Sequence, residues 1–152
     1  MLGVGMVPVT VLREHAHKPA AFTWWVDDAM MTEKQRFDAR VPPPDVARWN
    51  RELSVVGVFD QLIFNFDRNG SNLVIDRDWR VWMLDHSRAF KTAKGLRNPR
   101  ALGDSCEEGL LVALRALDLD AVRATMKDVL KATARSRPAS RAATTSWPTS
   151  TV

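Results

Sequence analysis

Asp67, Asn72 and Asp85 have the residue types, in the right order, to serve phosphoryl transfer. That chemistry needs a carboxylate to orient or deprotonate an acceptor hydroxyl, and hard oxygen ligands to hold magnesium against phosphate oxygens. Asp67 and Asn72 stand five apart within "NFDRNGSNLVI", and Asp85 follows downstream. The same stretch contains Asn69-Gly70, a strong short-range turn signal, because both residues tolerate the positive φ of a primed turn. A tight turn there would hold Asp67 and Asn72 at the mouth of one site, and the hairpin itself is expected after Asn72.

The elements that must position these residues are legible on either side. Val46, Trp49, Leu53, Val56, Phe59 and Ile63 recur at spacings of three and four, which predicts a helix to about residue 64 with Asp45 as its N-cap. Gly57 within it suggests a close helix contact. After Asn72, "NLVIDRDWRVWMLD" predicts a small hairpin around Asp76-Arg77-Asp78 that delivers Asp85 at its far end. Upstream, "MVPVTVLRE" and "AAFTWWVDD" read as two strands joined by "HAHKP". A polar stretch follows, and "VPPPD" forbids regular structure. Residues 86 to 103 read as an extended loop. Asp104 can cap "SCEEGLLVALRAL", with Glu107 completing a capping-box-like pattern, and Asp118 or Asp120 can begin "AVRATMKDVLKA". The fold class expected is α+β, mainly helical, with an N-terminal strand pair and a small hairpin after the loop of Asp67 and Asn72.

A chain of 152 residues with 45% hydrophobic content supports one domain, assigned to residues 1–130. The one cysteine, Cys106, excludes an internal disulfide and a thiol cluster for zinc, which suits a reducing compartment, and the expected address is cytoplasmic. "MLGVGMVPVTVL" lacks a basic leader region and ends at Arg13 and Glu14, so no transmembrane segment is expected. The net charge of +4 is local. Lys131, Arg135, Arg137 and Arg141 lie without acids in residues 131–152, leaving 18 basic against 18 acidic residues elsewhere. That Ser/Thr/Ala-rich tail reads as disordered, and nucleic-acid binding is not inferred from it.

Residues 59 to 90, "FDQLIFNFDRNGSNLVIDRDWRVWMLDHSRAF", resemble the catalytic core of the atypical kinases. That superfamily includes phosphatidylinositol 3- and 4-kinases, HipA-type bacterial kinases and secretory-pathway casein kinases; uncharacterised bacterial members look closest. The resemblance extends more weakly over residues 4 to 130. It implies an ATP- and magnesium-dependent phosphotransferase with a kinase-like C-terminal lobe. Asp67 falls on the catalytic, acceptor-orienting position, and Asn72 and Asp85 fall on the two magnesium ligands. "FTWWVDD" is similar to the adenine-binding hinge, which implies Trp25 and Val26 beside the base, Val26 through its backbone. Asn69 stands where phosphatidylinositol kinases carry histidine, and His86-Ser87 replaces Phe-Gly, so lipid specificity and Phe-based switching do not carry over. The resemblance leaves no room upstream for a glycine-rich loop and strand lysine: "GVG" at residues 3 to 5 is not such a loop, and Lys18 falls in a polar connection. Activity of the chain alone is therefore expected to be weak or absent. The abrupt start and the change to "RSRPASRAATTSWPTSTV" read as a truncated or frameshifted part of a longer gene.

Plainer local readings stand beside these. Asp67 suits an Asx turn closing the helix, Asn72 a residue tolerated after a glycine turn, and Asp85 a strand-end cap. Arg68 is expected to pair with a structural carboxylate rather than with phosphate. "DRNGSN" is not a calcium loop, because Gly70 is fourth where the pattern requires glycine sixth. His15 and His17 read as an exposed pair on one strand face, the Trp and Phe residues as core, and Cys106 as a helical packing or surface residue. The competing function is a non-catalytic pseudokinase or fragment acting through protein contacts; a weaker alternative is a binding module acting through its basic tail. The acceptor, whether protein, lipid or small molecule, is not specified by these residues.

Overall fold

The described residues form two small antiparallel sheets and four helices, an α+β fold. In chain order they are β1 (Thr10–His15), β2 (Lys18–Thr23), β3 (Ala29–Thr32), α1 (Glu33–Asp38), α2 (Val46–Leu62), a 3₁₀ turn (Gly70–Asn72), β4 (Leu73–Asp76), β5 (Val81–Met83), α3 (Glu108–Arg115) and α4 (Leu119–Arg135). This computed structural model describes residues 2–90, 95–96, 102 and 106–135, the side chains of 128–135 excepted. Two compact units result: residues up to Leu12 with Ala21–Leu117, and Arg13–Ala20 with the segment from Asp118.

The first unit is organised by α2. Asp45 accepts a hydrogen bond from the Arg48 amide at 2.8 Å, satisfying one of the free N–H groups at the helix start. The apolar stripe then buries Trp49 and Val56 against the inward residues of a hairpin, Leu73 and Ile75 on β4 and Val81 and Met83 on β5. Those four alternate along their strands as the two-residue period of a strand requires. Ile75, Val81 and Met83 are almost wholly buried, and each such side chain contributes about 1.5–3 kcal/mol. The strands pair antiparallel as Leu73↔Met83, Val74↔Trp82 and Ile75↔Val81. Glu52 of α2 ties the two together by accepting from the Val81 amide at 2.8 Å.

The hairpin lies after Asn72, as its sequence pattern indicates, but it belongs to a three-stranded sheet ordered β3-β4-β5. The polar stretch expected after the N-terminal strands in fact holds β3 and α1. Their signal is the capping box at Thr32, whose hydroxyl accepts from the Gln35 amide while the Gln35 side chain accepts from the Thr32 amide. β1 and β2 form the N-terminal pair, shifted from the expected boundaries: Ala16 and His17 turn between them with φ of 49° and 59°. His17 therefore sits in the turn and shares no strand face with His15, Lys18 opens β2, and Trp24 to Asp28 follow β2 as a connection.

Other expectations change as well. Gly57 marks no close contact, since a Cβ there would meet nothing within 4 Å. The aromatic residues are not uniformly core: Trp49 is buried, whereas Trp24, Trp25 and Phe37 are more than 70% exposed. α3 begins at Glu108, and Glu107 is its N-cap, accepting from the Leu110 amide at 2.6 Å. Two backbone amides, of Leu110 and Gly109, hold the Glu107 carboxyl below its ordinary pKa. Cys106 precedes that helix, and Asp104 lies outside the described residues.

In the second unit, Asp118 accepts from the Asp120 and Ala121 amides at the start of α4. That helix runs through Arg135; the tail from residue 136 lies outside the described residues. Among the described residues no helix is long and apolar enough to cross a membrane.

Candidate functional site

The loop carrying Asp67 and Asn72 is aimed by the end of α2. Phe64 takes a left-handed φ of 53°, Asn65 N–H reaches back to the Asp60 carbonyl at 2.8 Å, and Phe64 N–H to the Gln61 carbonyl at 3.2 Å. This pair of bonds is the Schellman ending, built here on a phenylalanine where glycine is usual. It turns the chain so that Asn65, buried like Asp60, donates its side-chain amide to the Asp60 carboxylate at 3.0 Å and accepts from the Asp67 amide at 3.3 Å.

Arg68 does pair with a structural carboxylate. It meets Asp60 twice, Nε to Oδ2 at 2.9 Å and Nη2 to Oδ1 at 3.0 Å, with side chains 11% and 8% exposed. Its Nη1 donates to the carbonyls of Asn72, at 3.1 Å, and of Leu84. Its Nη2 faces His86 Nε2 at 2.9 Å. A guanidinium has five N–H groups, and all five are used. Because it offers only donors, His86 must accept there and so is neutral, protonated on Nδ1. The edge of that ring meets Phe59, centroids 6.1 Å apart. Burial, then the Arg68 charge, pushes the His86 pKa below its ordinary value, against opposing pulls from Asp60 and Asp85.

Asn69 and Gly70 make a different turn from the one expected. Asn69 is extended (φ −138°, ψ 170°) and caps the 3₁₀ turn by accepting from the Ser71 amide at 2.9 Å. Gly70 is required for space rather than for positive φ, because a Cβ would stand 2.9 Å from the Lys34 backbone nitrogen.

Within this loop the Asp67 carbonyl accepts the side-chain amides of Asn69 at 3.1 Å and Asn72 at 3.3 Å. Committing its side-chain nitrogen in this way leaves the Asn72 side-chain oxygen, Oδ1, available to a ligand. The Asp67 carboxylate is 53% exposed and stands 3.9 Å from Arg88 Nε, a loose pair worth little in water. Asn72 and Leu84 face each other at the base of the hairpin, joined by the Leu84 amide to the Asn72 carbonyl at 2.9 Å. Asp85 follows at once, left-handed at φ 48° and exposed. Its Oδ1 accepts both the Ser87 hydroxyl at 2.6 Å and the Ser87 amide at 3.1 Å. Those two bonds, the hydroxyl first, hold its pKa below the ordinary carboxylate value, with His86 and Arg68 adding smaller pulls. Asp85 is thus an anion at neutral pH, and its Oδ2 accepts no hydrogen bond among the described residues.

Asp85 also lines a cleft of about 280 Å³ with Trp25, Val26, Val74 and Met83. The Val26 carbonyl accepts from Ala29 at 3.1 Å, and its N–H has no acceptor among the described residues. The structure therefore brings Trp25 and Val26 to the same cleft as Asp85. It joins Asn72 to Leu84, the residue before Asp85, across the hairpin base, and Asp67 to Asn72 through the Asn72 side-chain amide. A larger hollow of about 630 Å³, lined by Gly3, Gly5, Arg48, Glu52 and Trp82, contains none of the expected site residues.

The donor set is oxygen only: two carboxylates and one amide. Among the described residues no three His, Cys, Asp or Glu side chains gather as a metal cage. Magnesium nonetheless suits such a set, since it commonly takes one or two carboxylates and fills its octahedron with water and phosphate. Asp60, Asn65 and His86 were not singled out from sequence. Asp60 could have been, because it falls on the buried stripe four residues after Val56 and three before Ile63, where an unpaired charge is not tolerated.

These features define an α+β protein in which Asp85, just after the central hairpin, lines an apolar cleft. Comparison with protein-family models, with curated proteins and with solved structures finds no match for the chain.

Proposed function

We propose that the chain carries the nucleotide and metal site of an atypical-kinase-like C-terminal lobe, serving ATP-dependent phosphoryl transfer. The observation that supports this most is that Asp85 lies at once on the apolar cleft of Trp25 and Val26 and beside Asn72 at the hairpin base. In this reading the cleft receives the adenine, and the free Val26 N–H donates to the base. The Asn72 side-chain oxygen and Asp85 Oδ2 would hold magnesium, which when bound offsets phosphate charge. Asp67, exposed on the same loop, orients the acceptor hydroxyl and takes its proton.

A second reading, a non-catalytic pseudokinase module, is favoured by what surrounds the cleft. Gly3 and Gly5 line the other hollow, and among the described residues no lysine lines this cleft, so the lining supplies neither a glycine-rich phosphate loop nor an ATP-facing lysine. Thermal shift separates the outcomes. A magnesium-dependent rise in Tm with ATP, lost in Asp85→Ala, supports nucleotide binding, and phosphate transfer to a generic acceptor then separates kinase from pseudokinase. No shift at millimolar nucleotide rejects autonomous binding altogether.

A further inference from the structure

We infer that Arg68 is a positioning residue that fixes Asn72 and Asp85 relative to one another. This rests on the reading of those two residues as the metal-holding pair. Asn72 ends the loop after α2, whereas Asp85 is the second residue of the segment after β5. Between these two legs the backbone supplies one bond, Leu84 amide to Asn72 carbonyl, and it leaves the direction of each outward group undetermined.

Arg68 supplies the remaining constraint. One Nη1 bridges the carbonyls of Asn72 and Leu84, so both peptide planes are held by the same nitrogen. The Leu84 carbonyl belongs to the peptide that leads into Asp85, and fixing its plane helps set the left-handed φ at Asp85. The guanidinium is itself immobile. Nε and Nη2 are locked to Asp60 on the last turn of α2, and Nη2 also meets the ring of His86, the residue after Asp85.

Asp60 in turn is held by Asn65, which also accepts from the Asp67 amide. One rigid plane therefore refers Asp67, Asn72 and Asp85 to the same helix end. Lysine cannot replace it, because three donors on a flexible stem cannot hold a carboxylate fork and two carbonyls together. A buried ion pair contributes little net stability compared with apolar packing, so the geometry it imposes is the more specific consequence.

The test uses Arg68→Lys and the double variant Asp60→Asn/Arg68→Met, which leaves no orphaned buried charge. Two quantities are read in each. The first is amide exchange at Leu84, expected to accelerate by about tenfold or more while Ile75 and Val81 stay protected. The second is Mn²⁺ affinity in the presence of ATP, followed by electron paramagnetic resonance. It is expected to fall by about tenfold or more, with metal-free ATP binding little changed. Uniformly faster exchange through β4 and β5 would reduce Arg68 to general stability and overturn the inference. So would unchanged Mn²⁺ affinity in a folded variant. A wild-type protein that binds no metal nucleotide overturns the functional reading and Arg68's role toward metal with it. The exchange arm then still decides whether Arg68 couples the two legs.

Discussion

Gly70→Ala tests the contact that seats the Asp67–Asn72 loop on α1. The backbone at Gly70 is not left-handed: among the described residues the positive-φ glycines are Gly3 and Gly5. On conformational grounds alone, alanine should stabilise the fold by about 0.4–1 kcal/mol through the unfolded chain. The added Cβ, however, would stand 2.9 Å from the Lys34 nitrogen and 3.1 Å from its Cα, and neither backbone atom can swing aside. Relieving such an overlap by moving packed segments costs about 1–3 kcal/mol. The net expectation is destabilisation by about 1–2 kcal/mol, or a Tm lowered by roughly 3–8 °C. Urea denaturation measures it, with an unchanged m-value as the sign that only stability moved. Gly57→Ala is the internal control: it lies mid-helix with nothing within 4 Å, and should gain about 0.5–1 kcal/mol. Opposite signs support the contact. A Gly70→Ala protein as stable as wild type, or more so, would refute the seating of the loop on α1.

Two further outcomes follow from other sites. His86 has a folded pKa below its ordinary value of about 6.5, so in the window between the two the unfolded chain binds the proton more readily. Its contribution is therefore full above that ordinary value, declines as pH falls through it, and levels off below the folded pKa; His86→Gln should remove this component from denaturation curves taken between pH 7 and 5. At the β1–β2 turn, neither Ala16 nor His17 is suited to positive φ, so Ala16→Asn with His17→Gly should stabilise the protein by about 1 kcal/mol, and an unchanged urea midpoint would contradict a primed turn there.

What was legible in the sequence was what neighbours in the chain decide. Asp45 and the stripe from Val46 to Ile63 define α2, and the alternation of Leu73, Ile75, Val81 and Met83 defines a hairpin whose ends carry Asn72 and Asp85. β3 was not legible because four residues, "AMMT", acquire strand structure by pairing with β4 more than forty positions later, across a bulge. The capping box at Thr32 was a local signal for α1, passed over because that six-residue helix buries no residue. The turn at Asn69-Gly70 was misassigned for a related reason. Dipeptide chemistry reports which φ a residue tolerates, whereas Gly70 is needed by a neighbour, Lys34, that no local pattern reveals. The roles of Asp60 and Arg68 depend likewise on two chain segments meeting.

Residue type alone does not single out Asp85, because Asp76 sits at the opposite end of the same hairpin. The difference lies in saturation. Asp76 is 6% exposed and both of its oxygens are committed. Oδ1 accepts the amides of Asp78 and Arg80, and Oδ2 accepts the Trp82 indole N–H, all at 2.9 Å. It closes the hairpin turn, and the one lone pair left on Oδ2 belongs to a buried side chain. Asp85 places both of its hydrogen bonds on Oδ1 and stands in solvent beside the cleft. Asn72 shows the same division inside one side chain, its nitrogen bound inward and its oxygen free, while Arg68 lies at the saturated extreme with every donor used. Counting committed lone pairs and N–H groups thus separates polar residues that build this loop from those that can act on something outside it. Asn72, Asp85 and Asp67 remain in the second group.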